Sequence, residues 1–413
     1  MINNRVVITG MGVITPIGQS VDTFWNNLIN GTSGIGPVER FDATDFSTSI
    51  AAQVKDFSVQ DYLPRKDARR MDLFVQYACA AAKMAVEDAS LDMKRELTNR
   101  VGVWIGSGIG GIDTLEKQHN AYLSKGVTGI SPFFIPMLIP NMAAGQVSIM
   151  LGAQGPNGCT VTACASGSNS IGEAFQLIQN GKADVMITGG SEASITPLGM
   201  GGFCAMKAMS SSNDSPQEAC RPFDLHRNGF VMGEGSGILV LEALEHALDR
   251  GANIYAEVLG YGSSADATHM VQPDIEGNGA ALAFKMALQT AGLEPADIDY
   301  INAHGTGTKL NDLMETTAIK KTFAEHSYQL SVSSIKAHTG HTLGAAGAIE
   351  LITTTLALRH QQIPPTLNLT TADPECDLDY VPLTTKKKAI QYALSDSLGF
   401  GGHNAALIIG AYK

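Results

Sequence analysis

The chain has 413 residues, 44% of them apolar and 16% charged, with a net charge of −12; this describes a globular protein of two or three domain-sized pieces and excludes a general nucleic-acid binder, which needs a broad basic surface. No apolar run approaches the roughly 20 residues of a membrane-spanning helix, and the segment SPFFIPMLIPNM is cut by Pro132, Pro136 and Pro140. Six cysteines (Cys79, Cys159, Cys164, Cys204, Cys220 and Cys376) form no CxxC pair, and the N-terminus shows no basic stretch ahead of a long apolar run, so a reducing cytoplasm is the expected home.

Short β-branched, glycine-bounded runs follow one another along the chain: RVVITGMG from Arg5, VGVWIGSGIGG from Val101, ADVMITGGSEA from Ala183, SGILVLEALEHA from Ser236, IDYINAHGTGT from Ile298 and NAALIIG from Asn404. Such runs between helical segments predict buried strands of an α/β sheet, with active residues on the turns. Helical period is clear after Cys164, where Ile171, Ala174, Phe175 and Ile178 share one face before Asn180-Gly181. It is clear again after His341, at Ala345, Ala348, Ile349, Ile352 and Leu356. Near residue 252 GANIYAEVLGYGSS restarts a strand much as RVVITGMG began one, which predicts two halves, 1–252 and 253–413, sharing one core. The spacing is not a fixed repeat.

The chemistry-bearing residues lie on these turns. Cys164 in VTACASG opens a helical segment, where unpaired N–H groups and the helix dipole favour thiolate. His304 enters the turn GTGT, whose Thr306 and Thr308 offer hydroxyls, and His341 follows Lys336 in IKAHTGHTLGAAG. The loop SLGFGGHN can aim a backbone N–H at an oxyanion, with Cys164 supplying the second. Each signal has an ordinary structural reading too: a small buried thiol, a core histidine, a hairpin turn. His338, His341 and Cys164 raise a metal reading, but no HExxH or CxxC pair supports zinc, and no GxSxG elbow supports a serine hydrolase.

Taken in order, VTACASG, NAHGTGT, IKAHTGHTLGAAG and SLGFGGHN resemble the beta-ketoacyl-acyl carrier protein synthases of the thiolase superfamily, most closely the elongating type II members. The resemblance runs from RVVITGMG through WIGSGIGG to the C-terminus. It implies a duplicated five-layered α/β/α/β/α fold and a homodimer with SPFFIPMLIPNM near its interface. It makes Cys164 the nucleophile that takes an acyl chain from acyl carrier protein, and His304 and His341 the neutral donors that stabilise the enolate left by malonyl decarboxylation. Lys336 would hold the network around His341, with Asp312 and Glu350 supporting it, and the N–H groups of Cys164 and Phe400 would form the oxyanion hole.

The same resemblance puts Thr306 and Thr308 against the pantetheine arm, Ile109 at the floor of the acyl pocket, and Phe203 and Phe400 at its gate. Arg65, Lys66, Arg69 and Arg70, on one helical face, and Lys207 would dock the acidic carrier. No cofactor is implied beyond the carrier's phosphopantetheine, and no metal beyond a monovalent cation near Asn302, Glu350 and Ser395. The chain departs from the family pattern at KGVTGI, which holds only Lys125 where arginines are common, at Gly307 for Ser, at His338 for Met and at Asp396 for Asn. Two other readings stay open: a condensing enzyme of polyketide or polyene synthesis, and a non-catalytic chain-length partner, which Cys164 argues against. The initiating synthases, with Cys, His and Asn, fit less well than the two-histidine pattern.

Overall fold

The computed structural model describes residues 4–412. Ten strands form one hydrogen-bonded sheet: β1 (Val6–Ile14), β2 (Val101–Gly106), β3 (Asn157–Gly158), β4 (Val185–Glu192), β5 (Gly235–Ala243), β6 (Ala256–Ala265), β7 (Tyr300–Asn302), β8 (Ser331–Ser333), β9 (Tyr392–Gly399) and β10 (His403–Gly410). Their spatial order is β8-β7-β9-β10-β6-β1-β5-β4-β2-β3. Outward from the centre, the first five strands run β1-β5-β4-β2-β3 and the second five run β6-β10-β9-β7-β8, the same order shifted by five. The senses match as well. In each half the two inner pairings are antiparallel and the two outer ones parallel.

The halves meet where β1 pairs antiparallel with β6 over three residues, Val6 to Ile8 against Val258 to Ala256. Helices α1 (Leu73–Asp88) and α2 (Met142–Leu151) cover the outer face of the first half. Helices α3 (Ser166–Gln179) and α6 (Ala346–His360) lie inside and touch both halves. Helices α4 (Asn278–Ala291) and α5 (Lys309–Phe323) cover the outer face of the second. This is the five-layered, thiolase-like α/β/α/β/α arrangement. Both predicted stripes, Ile171 to Ile178 and Ala345 to Leu356, belong to the inner core.

Helix α6 is buried all round from Ala346 to Leu358, which one apolar stripe does not anticipate. Its Thr353, Thr354 and Thr355 return their hydroxyl protons to the carbonyls of Ile349, Glu350 and Leu351, so a polar run is buried without loss. Strand β9 has no counterpart among the predicted strands, because its Ser395, Asp396 and Ser397 are buried polar residues that break the apolar run used to find strands.

Each inner helix is entered through the same elbow. Ala163 and Leu343 both sit at φ +50, each opens a 3-10 turn (Ala163–Ala165 and Leu343–Ala345), and each turn runs straight into its helix. The two elbows bring the helices together at backbone distance. A Cβ on Gly347 would lie 2.0 Å from Ser168 Oγ and 2.8 Å from Ser168 N. Gly347→Ala therefore sets a helix-propensity gain of about 1 kcal/mol against overpacking of about 1–3 kcal/mol. We expect a lower midpoint in urea unfolding; a higher one would contradict the close crossing.

Candidate active site

Cys164 sits in the elbow ahead of α3, at the base of a cavity of about 470 Å³ that His304, His341, Thr306, Thr308, Lys207, Phe203 and Phe400 also line. Its Sγ lies 3.1 Å from Nε2 of His341. The His304 and His341 rings stand nearly perpendicular with centroids 5.2 Å apart, so two imidazoles flank the space above one thiol. His304 lies two residues past the end of β7, and its backbone N–H donates to Glu315 at 2.6 Å. Gly305 N–H donates to the other oxygen of that carboxylate at 2.8 Å.

Burial decides the protonation states. It pushes the Cys164 thiol up to about 12, against the opposing pull of the Lys336 charge and the Phe400 N–H. The thiolate expected from the helix N-terminus is therefore not the resting form: the desolvation of a buried anion outweighs a dipole effect of about 0.3–2 kcal/mol. Burial also drives both histidines well below their ordinary value, helped by Lys336 and, for His304, by His341. Thiol and imidazoles are all neutral near pH 7.

Lys336 Nζ lies 3.4 Å from Nδ1 of His304 and pairs with the Glu350 carboxylate, so its direct contact is with His304, while its charge also acts on His341. His341 Nδ1 has no hydrogen-bond partner among the described residues. Asp312 supports the site at a distance: it accepts the N–H groups of Phe223 and Gly307 and lies 3.6 Å from Arg227. The carboxylate that grips the His304 turn is Glu315, one helical turn further along the same face of α5. The i, i+3 spacing of the two acids was the available signal.

Phe203 and Phe400 face each other at 6.1 Å, and Phe203 meets Phe230 edge-on at 5.3 Å. Ile109 does not line the open cavity but packs in the apolar cluster that holds Cys164, Phe203 and Leu343. Thr306 and Thr308 share a hydrogen bond of 2.9 Å, and Gly307 between them sits at φ +77, a conformation that favours glycine. Lys207 lines the cavity. Arg65, Lys66, Arg69 and Arg70 are exposed and lie outside its lining, and their helix spans only Arg65–Ala68, so they share no continuous helical face; Arg70 stacks on Phe133 at 4.5 Å.

Cys164, His304 and His341 place their ligand atoms within 4.8 Å of one another, a spacing that zinc would accept, but the positive charge of Lys336 beside His304 opposes a dication there. His338 is not part of this group; its ring nitrogens lie 2.9 and 3.0 Å from the carbonyls of Thr32 and Pro365. A second polar cluster lies behind the histidines. Asn302 Oδ1, Glu350 Oε2, Ser395 Oγ and both carboxyl oxygens of Asp396 are buried without hydrogen-bond partners among the described residues, and Asn302 and Ser395 are paired across β7 and β9. Burial and the nearby Glu315 carboxylate push Asp396 far up.

Residues 3–247 match the family model for the beta-ketoacyl synthase N-terminal domain, and residues 255–370 match that for its C-terminal domain. Among curated relatives, 3-oxoacyl-[acyl-carrier-protein] synthase 2 of Staphylococcus aureus is 54% identical over 411 residues, 100% of this chain and 99% of that one. The enzyme of the same name from Synechocystis is 52% identical over 99% of this chain and 98% of its own. A solved beta-ketoacyl synthase from Burkholderia phymatum superimposes with a TM-score of 0.93 at 35% identity, over 99% of this chain and 100% of that chain. The ishigamide ketosynthase/chain length factor superimposes with 0.93 at 36% identity over the full length of both. Two matched domains, a relative sharing more than half its residues from end to end and a common fold make this chain a member of the beta-ketoacyl synthase family.

Proposed function

We propose that the chain is a 3-oxoacyl-[acyl-carrier-protein] synthase of the second, elongating kind, which lengthens a carrier-bound acyl chain by two carbons in fatty acid biosynthesis. The observation that carries this reading is the neutral Cys164 thiol held 3.1 Å from His341, with His304 beside it, at the base of one cavity. Acyl transfer comes first: Sγ attacks the thioester carbonyl of acyl carrier protein, its proton passes to His341 Nε2 and then to the departing pantetheine sulfur, and the acyl chain remains on Cys164. The N–H groups of Cys164 and Phe400 receive the oxyanion.

Malonyl carrier protein follows into the same cavity. Breaking its carboxylate bond releases carbon dioxide and leaves the electron pair as an enolate, whose oxygen accepts N–H bonds from His304 and His341. The enolate carbon then attacks the acyl-Cys164 carbonyl, and the tetrahedral intermediate collapses with release of the Cys164 thiolate, which takes up a proton. His341 accepts at Nε2 in the first step and donates from it in the second, so between the half-reactions its ring proton must leave Nδ1 and Nε2 must gain one, an exchange with solvent while the cavity is open between the two carriers. Thr306 and Thr308 line the path of the pantetheine arm, with Phe203 and Phe400 at the acyl side.

The carrier's acidic surface would meet Lys207 at the mouth and Arg65, Lys66, Arg69 and Arg70 beyond it. The orphaned oxygens of Asn302, Glu350 and Ser395 are a donor set suited to a hard cation, which would brace the turn behind His304. Six free cysteines and the absence, among the described residues, of a helix long and apolar enough to cross a membrane favour the cytoplasm. The matching strand order of the two sheet halves supports a division at 1–252 and 253–413. The polyketide reading has structural neighbours at 36–37% identity, such as a type II polyketide ketosynthase with its acyl-carrier protein; the 54% identity to synthase 2 enzymes favours fatty acid elongation.

Intact-mass spectrometry after mixing with a medium-chain acyl carrier protein should show one acyl adduct on the wild type and none on Cys164→Ala. His304→Ala and His341→Ala should each slow release of carbon dioxide from malonyl carrier protein by about 100- to 1,000-fold, the scale of a lost oxyanion donor, with melting transitions retained. Condensation at the wild-type rate by Cys164→Ala would end this reading.

A homodimer belongs to the same proposal. Ile135, Ile149 and Val161 are all more than half exposed, on or beside the segments that flank the edge strand β3, and apolar side chains grouped at a sheet edge mark an association surface. Sedimentation at micromolar concentration should give about twice the 43.5 kDa chain mass, and Ile149→Asp should move the protein toward the monomer. A monomer in both cases would remove the dimer.

A further inference from the structure

The second elbow is built like the first, and Gly344 occupies in it the position that Cys164 occupies in the other: one residue after the φ +50 position, inside the 3-10 turn that enters the inner helix. The place that an acyl oxyanion would take beside Cys164 is filled there by a protein carboxylate. Glu192, at the end of β4 and fully buried, accepts the N–H of Gly344 at 3.1 Å and that of Gly108 at 2.7 Å on one oxygen. Its other oxygen accepts the N–H of Ile109 at 3.3 Å and the hydroxyls of Ser107 at 3.3 Å and Ser194 at 3.0 Å. No cation pairs with it among the described residues, so these five donors are what keeps it in place.

Those donors come from three separate stretches. Ser107 to Ile109 form the turn after β2, and Ile109 packs against the cluster of Cys164, Phe203 and Leu343. Ser194 leads toward the helix that carries Phe203. Gly344 lies three residues after His341. A Cβ on Gly344 would come within 2.2 Å of Gly108 N and 2.8 Å of the Glu192 carboxylate, so the position admits no side chain and the carboxylate bridges the two backbones directly.

We propose that Glu192 is a positioning residue for acyl-chain selection: by holding the Ile109 turn, the Phe203 approach and the His341 elbow at one buried carboxylate, it fixes the depth of the acyl pocket relative to Cys164. This rests on the elongating-synthase reading. Glu192→Gln is the informative variant, because an amide can keep the Gly108 and Gly344 bonds through its oxygen while the hydroxyls of Ser107 and Ser194 turn to accept from its NH2. Only the Ile109 N–H is then left without an acceptor. The Ile109 turn behind Cys164 and Phe203 is released and the elbow kept.

The test measures acylation of Cys164 by a series of acyl carrier proteins of increasing chain length, beside carbon dioxide release from malonyl carrier protein. In Glu192→Gln the ratio of long-chain to short-chain acylation should change by about tenfold or more, the scale on which a single methylene discriminates in an apolar pocket, while decarboxylation is retained. Should the variant lack a melting transition, Ser194→Ala removes one donor from the same oxygen and should shift the ratio in the same sense. An unchanged ratio in the folded variant, or decarboxylation falling in step with acylation, overturns the proposal. Failure of the wild type to accept any acyl chain would instead overturn the elongating-synthase reading beneath it.

Discussion

The distance between Cys164 and His341 is set by how closely the two inner helices cross. Both residues precede those helices, one at an elbow and one just before the other, so neither position is adjustable by a side chain alone. Gly167 against the Gly344 carbonyl and Gly347 against Ser168 bring the second elbow and the first turns of the two helices to backbone contact. The thiol of the first half then stands 3.1 Å from the imidazole of the second. The duplicated strand order makes this geometry possible, because it places equivalent turns from both halves on one side of the sheet. The two elbows differ in what they hold: one carries a sulfur, and the other is closed by a carboxylate.

Burial gives the site its second constraint. A thiol and two imidazoles in so confined a space would repel or trap one another as ions, and desolvation holds all three neutral. The buried positive charge on Lys336 is compensated by Glu350 and acts on His304 through Nδ1, leaving Nε2 of that ring available to donate. In the proposed mechanism, negative charge arises only during reaction, on thioester oxygens that the neutral donors would receive. That is electrostatic preorganisation in the usual sense: the dipoles are oriented by folding rather than by the substrate.

Much of this was legible in the residues. The glycine-bounded runs located six of the strands, and the two helical stripes located the inner helices, because both signals depend on local periodicity. Four ordered motifs carried the family and its chemistry. What the sequence hid was polar burial. Strand β9 passes through Ser395, Asp396 and Ser397, helix α6 buries three consecutive threonines, Glu315 grips the turn at His304 and Gly305, and Glu192 grips N–H groups of the distant Gly108 and Gly344. A buried polar residue is explained by its partners, and those are supplied by topology. Burial opposes the thiolate expected at Cys164 for the same reason: the helix N-terminus is visible in sequence, whereas the apolar cluster around the sulfur is not.

The neutrality of the resting nucleophile is tested most directly by the pH dependence of Cys164 alkylation with iodoacetamide, followed by peptide mass spectrometry with Cys164→Ala as the blank. A thiol pushed up to about 12 by burial should alkylate at a rate that climbs steadily with pH across the neutral and mildly alkaline range and shows no plateau there. A rate that levels off below pH 7 would mean a resting thiolate, and would contradict the view that the site is a set of neutral groups held in place by the crossing of two helices.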